Sequence, residues 1–362
     1  MSQPKLNKIH HEFQLNGSAY DHKGLGQAAL AFMESEHAFE KELGTFILDW
    51  LSPDSKIILQ TSGTTGSPKK FPFDKQALVN SALTTGQFFN LLPGQNALHC
   101  LPAKYIAGKM MLVRALVLGL HLDVVPPSGT PLKELHTLYD FVAMTPFQAE
   151  HSIGTLATIK TLIIGGGAVA IPLKKALLDH QINAFETYGM TETLSHIAVR
   201  KMDAPSAEFM VLPNVSIRQD QRNCLVIDAP HLGVENLITN DEIEQIAADR
   251  FRLIGRIDHV VNSGGIKLHP EVIESKISDA LKYPFFIGGI ADGTLGERLV
   301  LAVVTSSSNI KEIITALNAA PLDPYERPKS VLFYEQFQKT ATGKIKRKET
   351  LQYPYTHLSN LK

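Results

Sequence analysis

The sequence contains few cysteines, the residues that cross-link small folds through disulfides or bound zinc. Among 362 residues only two cysteines occur, Cys100 and Cys224, and they lie far apart and outside any CxxC pair. Neither a disulfide framework nor a cysteine-ligated zinc cluster is therefore expected. A chain of this length can bury a sizeable hydrophobic core without such cross-links, and 44% of its residues are hydrophobic.

The sequence also lacks an excess of charge of either sign. Lys and Arg total 35 against 36 for Asp and Glu, so no basic field favours nucleic acid as a partner. No apolar run reaches the roughly 18–20 residues that span a bilayer. The N-terminal MSQPKLNKIHHEF contains no apolar core of a secretory signal. These absences predict a cytoplasmic protein without nucleic-acid partners or membrane insertion, and they leave its oligomeric state open.

Short apolar segments alternate with segments of helical periodicity over most of the chain. Strands are predicted at Lys56–Gln60, Thr161–Ile164 and Asn183–Thr187, and a helical region around Ala28–Phe46. This alternation is typical of a covered, largely parallel α/β sheet. Beyond about residue 257 the predicted order becomes helix, strand, strand, helix, strand. We therefore predict a large N-terminal domain over 1–257 and a small C-terminal α+β domain over 258–362.

A segment rich in glycine and hydroxyl side chains follows the first predicted strand. It reads TSGTTGSPKK from Thr61 to Lys70. Glycines let backbone N–H groups turn towards an anion, and hydroxyls and lysines add further donors. The GxxxxGK[ST] spacing of a P-loop is not present. The segment predicts a polyphosphate cradle, and the alternative is a polar surface loop. The predicted ligands are Thr61, Ser62, Gly63, Thr64, Thr65, Gly66 and Lys69.

This segment resembles the signature loop of the adenylate-forming superfamily, which includes acyl- and aryl-CoA ligases, luciferases and adenylation domains. Other stretches resemble further family motifs in the same order, and they begin at Tyr188, Leu237, Gly255 and Lys339. The resemblance implies an ATP-dependent acid–CoA ligase that works through an acyl-adenylate. It implies ATP, Mg²⁺ and coenzyme A as cofactors or co-substrates, and a carboxylic acid as the small-molecule partner.

The resemblance also implies roles for single residues around the nucleotide. In YGMTET, Tyr188 and Gly189 would lie by the adenine, Thr191 would contact the α-phosphate and Glu192 would hold Mg²⁺. Carboxylates combined with phosphate oxygens are the ligands that Mg²⁺ prefers. Taken alone, Glu192 would be an ordinary exposed carboxylate. The GGG loop at Gly165 and Gly166 would line the same nucleotide site.

The later motifs imply a second group of contacts. Asp241 would bind the ribose hydroxyls, although Asn240 replaces the family's glycine. Arg256 would be a further nucleotide contact and Asp258 the hinge between the domains, which would make the C-terminal domain mobile. Gly264 and Gly265 would admit the thiol arm of coenzyme A. In KTATGKIKR, Lys344 takes the catalytic lysine position, where its charge can meet the charge that develops on the phosphates.

The acid is indicated by shorter matches, which resemble the o-succinylbenzoate–CoA ligase branch of menaquinone biosynthesis. Tyr105 replaces the family's histidine in LPAKYIAG, and His196 replaces its glutamine in MTETLSHI. Nearby lysine and arginine side chains can meet a second carboxylate, or they can be ordinary surface cations. The predicted acid pocket comprises Tyr105, Lys109, Arg114, Gln148, Ser195 and His196.

Several alternatives remain open. The chain can be another aryl- or acyl-CoA ligase, an enzyme that stops at the adenylate, or a non-catalytic nucleotide-binding regulator on the same scaffold. A dinucleotide-binding oxidoreductase is disfavoured because Gly165–Gly167 lacks the GxGxxG spacing. The phosphate loop also begins nearer the N-terminus than in most family members. This position predicts a shortened N-terminal subdomain.

Overall fold

The computed structural model describes residues 9–60, 70–203, 208–340 and 343–361. The predicted phosphate cradle, from Thr61 to Lys69, lies outside these residues. The helices within the described residues are α1 His22–Glu34, α2 Ala38–Leu51, α3 Lys75–Phe89, α4 Ile106–Leu118, α5 Pro146–His151, α6 Ile171–Asp179, α7 Pro270–Ile277, α8 Ile310–Ala319 and α9 Arg347–Gln352.

The strands fall into three sheets among the described residues. Their bounds are β1 Gln14–Leu15, β2 Ser18–Ala19, β3 Lys56–Gln60, β4 Lys70–Asp74, β5 Asn96–His99, β6 His121–Val124, β7 Phe141–Met144, β8 Leu162–Ile164, β9 Ala184–Gly189, β10 His196–Lys201, β11 Glu208–Val211, β12 Ser216–Gln219, β13 Cys224–Ala229, β14 Val234–Ala247, β15 Arg250–Arg256, β16 Val261–Ser263, β17 Ile266–Leu268, β18 Phe285–Asp292, β19 Gly296–Val304, β20 Ser330–Tyr334 and β21 His357–Asn360.

The largest sheet runs β12-β13-β14-β15-β11-β10-β9-β8-β7-β5-β6-β1-β2. Pairing is parallel from β1 through β6, β5, β7 and β8 to β9, and antiparallel from β9 onwards through β10 and β11. Strands β7 and β8 are buried at every position, which is typical of parallel strands covered on both faces. The predicted α/β class is confirmed, and an antiparallel section extends the parallel one. The separate hairpin of β3 and β4 carries the first predicted strand.

The helical region predicted around Ala28–Phe46 consists of two helices. The Asp21 carboxylate caps α1 by accepting a hydrogen bond of 2.7 Å from the Gly24 amide. The chain then leaves the helix at Ser35 before α2 begins. A side chain at Gly44 of α2 would place its Cβ 2.5 Å from the Ala29 carbonyl oxygen. Glycine at this position therefore lets α2 pack closely on α1.

A second unit follows the large sheet. Strands β16 to β21 form their own sheet, packed on a core that includes Ile273, Ile277, Ile313 and Phe333. The predicted order is present as α7, β18, β19, α8 and β20, with the hairpin β16–β17 before it and α9 and β21 after it. The change of sheet falls between β15 and β16, where the boundary between 257 and 258 is predicted. We call the described residues from 258 onwards the C-terminal unit.

The C-terminal unit contacts the large sheet through α7. A Cβ at Gly255 of β15 would lie 2.7 Å from Oε2 of Glu271 in α7, so the end of β15 approaches this helix closely. Among the described helices, none has the length and apolar character needed to cross a membrane.

Candidate active site

The turn between β9 and β10 connects two groups of polar side chains, one around Tyr188 and the other around Arg114. A Cβ at Gly189 would lie only 2.3 Å from the Ser195 carbonyl oxygen, so this approach requires glycine. Leu194 adopts a positive φ of 63°, a conformation that costs a bulky residue about 1–3 kcal/mol. The Thr193 hydroxyl lies 2.8 Å from the Ser195 carbonyl oxygen and fixes the turn from inside. The turn therefore holds Tyr188 on one side and Ser195 with His196 on the other.

Tyr188 and Asp241 form the first part of a polar cluster. The Tyr188 hydroxyl donates a hydrogen bond to Oδ2 of Asp241, while its ring meets Phe209 and Phe251 edge-on at 5.9 and 5.4 Å between centroids. Burial, followed by the charge of Asp241, raises the pKa of Tyr188. This hydrogen bond links β9 to β14 within the large sheet.

Arg256 extends this cluster, because its Cα pairs in register with that of Asp241 across β14 and β15. Its Nη1 lies 3.3 Å from Oδ1 of Asp241. Its Nε and Nη2 each donate at 2.9 Å to the two oxygens of Asp258. Burial alone would raise the pKa of Asp258, but the hydrogen bonds and charge of Arg256 hold it below its usual range.

Lys344 of the C-terminal unit approaches the same group. The residue as a whole is exposed, yet loss of hydration around its ammonium lowers its pKa. The positive charge of Arg256 lowers this pKa further, and Asp241 opposes both effects. Direct contacts therefore join the sequence-predicted residues Tyr188, Asp241, Arg256 and Asp258, and the charges of Arg256 and Asp241 act on Lys344. We call these five residues the nucleotide cluster.

The glycine loop after β8 lies at the neighbouring strand end. A Cβ at Gly165 would lie 2.4 Å from the Thr187 hydroxyl oxygen, and Gly166 has a positive φ of 86°. Because β8 and β9 are parallel, this loop and Gly189 share one edge of the sheet. Thr191 and the exposed Glu192 lie on the 3-10 turn that follows β9.

Gly264 and Gly265, the predicted coenzyme A contacts, connect β16 and β17. Both have positive φ, 60° and 82°, and the flanking residues Ser263 and Ile266 pair directly. They form a two-residue hairpin turn of the kind that favours glycine. Their contact with coenzyme A stays a prediction.

A second polar cluster surrounds Arg114 of α4, which is only 2% exposed. Its Nη2 donates to Oγ of Ser195 at 2.6 Å and lies 3.4 Å from Nδ1 of His196. Its Nε has no hydrogen-bond partner within the described part of the chain. Burial lowers the pKa of Arg114 to about 9. Two predicted pocket residues, Ser195 and His196, thus meet around a third, the buried cation of Arg114.

Thr85 of α3 completes this group, although no sequence motif indicated it. Its Oγ1 lies 3.5 Å from Nε2 of His196, and Phe89 packs edge-on against the histidine ring at 6.4 Å between centroids. Burial and then the charge of Arg114 lower the pKa of His196 well below its usual value, which makes the ring neutral. We call Thr85, Arg114, Ser195 and His196 the acid cluster.

Lys109, which the sequence analysis assigned to the acid pocket, lies against α2 in the structure, and its place in that pocket stays a prediction. Its ammonium lies 5.5 Å from the centre of the Phe46 ring in α2, and the acids of α2 raise its pKa against the larger lowering by burial. Five residues separate Lys109 from Arg114, which places them about 140° apart around α4. Lys104 likewise pairs with Glu42 of α2, at 3.7 Å.

Gln148 and Tyr105 also lie outside the acid cluster as described. The Gln148 amide caps α5 and donates to the carbonyl oxygens of Cys100 at 2.9 Å and Ser128 at 3.0 Å. Its hydrogen-bonding capacity therefore serves the protein backbone. Tyr105 occupies the N-cap position of α4, about 13 Å along the helix axis from Arg114.

Comparison with known proteins identifies the family to which the chain belongs. The family described as AMP-binding enzyme matches residues 19–242, more than half of the chain. The 2-succinylbenzoate–CoA ligase of Bacillus mycoides is 25% identical over 370 aligned residues, covering 90% of this chain and 73% of that protein. A probable 2-succinylbenzoate–CoA ligase of Mycobacterium tuberculosis is 24% identical, covering 90% of this chain and 91% of that protein.

Solved structures give the same result. An acyl-CoA synthetase (AMP-forming)/AMP-acid ligase II-like protein from Dyadobacter fermentans is 34% identical, with a TM-score of 0.60 over 90% of this chain and 97% of that one. The o-succinylbenzoate CoA synthetase of Bacillus subtilis, in complex with its acyl-adenylate intermediate, has a TM-score of 0.73 over 83% of this chain and 69% of that one. At 18% identity this second likeness shows the fold. The chain belongs to the AMP-binding enzymes of the adenylate-forming superfamily and is an AMP-forming ligase.

Proposed function

We propose that this ligase joins 2-succinylbenzoate to coenzyme A through an acyl-adenylate, releasing AMP and pyrophosphate, as a step of menaquinone biosynthesis. The observation that carries the proposal is Arg114. It is a buried cation that has no carboxylate partner among the described residues. An unpaired buried charge is costly. An acid with two carboxylates can present one for adenylation and pair the other with this guanidinium.

The relatives support this choice of acid. Both curated relatives described above are named for 2-succinylbenzoate. A monocarboxylic acid, by contrast, would leave Arg114 without a counter-charge once the pocket closed around it. The chemical match between a dianionic acid and a lone buried cation is therefore the reason to prefer 2-succinylbenzoate over benzoates and fatty acids.

The nucleotide cluster suits the adenylation step. In that step a carboxylate oxygen attacks the α-phosphorus of ATP, and the bond to pyrophosphate breaks. Asp241 offers carboxylate oxygens that can accept hydrogen bonds from two ribose hydroxyls. The ammonium of Lys344 lies close enough to Asp241 to interact with its charge, where it can stabilise charge developing on the phosphates.

The residues also fit a magnesium ion delivered with ATP. Glu192 is exposed on its turn and makes no ion pair among the residues described, so its hard oxygen ligands are available. The described residues contain no group of three or more His, Cys, Asp or Glu that could hold a metal. A single carboxylate suits an ion that is held mainly by the phosphate oxygens of ATP. When bound, the ion would offset the negative charge of those phosphates.

In the second step the thiol of coenzyme A attacks the acyl carbonyl, and AMP leaves. Lys344 belongs to the nucleotide cluster in this arrangement, so we propose that the C-terminal unit rotates about Asp258 before the thiol enters. One or two residues can absorb such a rotation. Gly264 and Gly265 are the proposed contacts for the thiol arm.

The test is a substrate screen with the purified chain, ATP, Mg²⁺ and coenzyme A. Pyrophosphate release and thioester formation are followed with 2-succinylbenzoate, benzoates and fatty acids. We expect 2-succinylbenzoate to give the highest kcat/KM, with AMP as product. If another acid exceeds it by roughly tenfold, a gap of about 1.4 kcal/mol, the substrate assignment is wrong. Pyrophosphate without thioester would indicate an adenylate-only enzyme, and ATP binding without turnover a regulator.

A further inference from the structure

A chain of hydrogen bonds leads from Arg114 to the backbone of α3. Nη2 of Arg114 lies 2.6 Å from Oγ of Ser195, which lies 3.2 Å from Nδ1 of His196. Nε2 of His196 lies 3.5 Å from Oγ1 of Thr85, and this oxygen lies 3.0 Å from the carbonyl oxygen of Ser81. The chain therefore connects the buried cation to a fixed point on a neighbouring helix.

The direction of every proton in this chain follows from its two ends. A guanidinium can only donate, and a carbonyl oxygen can only accept. The Thr85 hydroxyl therefore donates to Ser81, and its oxygen accepts from the Nε2–H of His196. Nδ1 of His196 is then unprotonated, so it accepts from the Ser195 hydroxyl and from Arg114 at 3.4 Å. One tautomer of His196 satisfies all these contacts.

We propose that Thr85 and His196 are positioning residues, which hold Arg114 in the orientation that binds the second carboxylate of the acid. This inference rests on the proposed function. Thr85 fixes the tautomer of His196 by accepting the Nε2–H of the ring. The unprotonated Nδ1 then attracts Nη2 of Arg114 towards β10, the strand that carries His196. The buried Nε–H of Arg114, which lacks a partner among the described residues, remains available for the acid.

The reverse tautomer explains why the threonine matters. If Thr85 offered no acceptor, His196 could move its proton to Nδ1, and an N–H would then face the N–H of Arg114. Two donors repel each other, so the guanidinium would turn away from its position. The family motif has glutamine in place of His196, and a glutamine amide also offers one acceptor and one donor. Histidine can thus fulfil the same role here, provided that Thr85 fixes its tautomer.

The experiment compares three variants of the full chain, Thr85→Val, His196→Met and His196→Gln. Each is assayed with 2-succinylbenzoate and with two analogues, each of which lacks one of its carboxylates. For Thr85→Val and His196→Met we expect the KM for 2-succinylbenzoate to rise about tenfold, as for loss of a charge-assisted contact. The kcat, the KM for ATP and the constants for the analogue that is turned over should change little. His196→Gln should restore a KM near that of the parent chain.

A double variant separates positioning from packing. In the background of Arg114→Met, adding Thr85→Val should cause no further rise in KM, because the residue being positioned is gone. A further rise of similar size would overturn the inference. So would an unchanged preference for the dicarboxylate in both Thr85→Val and His196→Met, with AMP binding confirming that the variants are folded. If the parent chain itself shows no preference for the dicarboxylate, the proposed substrate fails first, which distinguishes the two results.

Discussion

The nucleotide cluster and the acid cluster neutralise their charges in opposite ways. In the nucleotide cluster, Arg256 lies between two carboxylates, Asp241 and Asp258, with its own side chain 43% exposed. In the acid cluster, Arg114 is almost fully buried and contacts only neutral groups among the described residues. The protein supplies counter-charges at the first site, whereas at the second a counter-charge would come from the proposed dicarboxylic acid.

This difference indicates different tasks for the two sites. Partly exposed ion pairs contribute little stability each, so the nucleotide cluster would rearrange at low cost in the proposed rotation of the C-terminal unit. A buried unpaired cation is costly until a partner arrives, so the acid cluster gains most from a ligand of opposite charge. Four variants test this contrast, in order of decreasing expected effect.

The largest effect is expected for Lys344→Ala. Removing a preorganised charge donor from the phosphates should slow adenylation by about 10²-fold or more. Attack of coenzyme A on a preformed acyl-adenylate should be spared, because Lys344 would have moved away by then. Pyrophosphate release measures the first step, and thioester formation from synthetic adenylate measures the second. Lys348→Ala, at an exposed position of α9, serves as the control. Equal losses in both steps would exclude the proposed alternation.

Arg114→Met should separate activity from stability. We expect kcat/KM for 2-succinylbenzoate to fall roughly 10- to 100-fold, the range for hydrogen bonds to a charged group. The free energy of unfolding should stay equal or rise, since an unpaired buried charge is replaced by an apolar side chain. Denaturant titration and steady-state kinetics give the two quantities. Lys109→Met is the matched control on the same helix, and it should retain the substrate preference. A large loss of stability in Arg114→Met would contradict the view of Arg114 as an uncompensated cation.

The sequence predicted the nucleotide cluster better than the acid cluster, for a physical reason. Tyr188 and Arg256 lie at or near the ends of β9 and β15, and Asp241 lies in the middle of β14. Side-chain contacts join these three residues within one sheet, so linear matches indicated residues that also meet in space. The acid cluster depends instead on which way helical side chains face. Helix α4 is buried at nearly every position from Gly108 to Leu116. The helix therefore has no apolar stripe that would indicate, from the sequence, that Lys109 and Arg114 point in different directions.

Thr85 could not be predicted from the sequence for the same reason. It lies in α3 among other small and hydroxyl residues, without a motif, and its role follows only from the contact between α3 and β10. The fold class and the strands at 56–60, 161–164 and 183–187 were easier to predict, because the alternation of short apolar segments with helical segments along the chain is enough to indicate them. The break between α1 and α2 was not predicted, since no proline marks it.

A smaller effect is expected for Tyr188→Phe. The phenol donates its hydrogen bond to Asp241, and the ring packs on Phe251, which phenylalanine would preserve. Losing one hydrogen bond to a carboxylate should raise the KM for ATP about tenfold. The dicarboxylate preference should not change, since the acid cluster lies on the other side of the turn. Isothermal titration with AMP measures the binding, and the acid screen provides the control. A changed acid preference would show that the two clusters are coupled through the turn at Gly189.

The smallest effect is expected for Asp258→Asn, which weakens the pair between Arg256 and Asp258. Because these side chains are 43% and 38% exposed, the pair should contribute only about 0.2–1 kcal/mol. Asparagine should therefore shift the balance between the two arrangements by less than about sixfold, slowing adenylation slightly and speeding the thioester step. The pKa of Asp258 is held below its usual value, so the contribution of the pair is present at neutral pH and is lost as the pH falls through that lowered pKa. Raising the salt concentration should reproduce the effect in the parent chain and leave Asp258→Asn nearly unchanged, because salt screens exposed pairs. Stopped-flow rates of both half-reactions at low and high salt provide the measurement. A loss of 10²-fold in either step would mean that Asp258 contacts the reacting groups directly, and the hinge assignment would then be wrong.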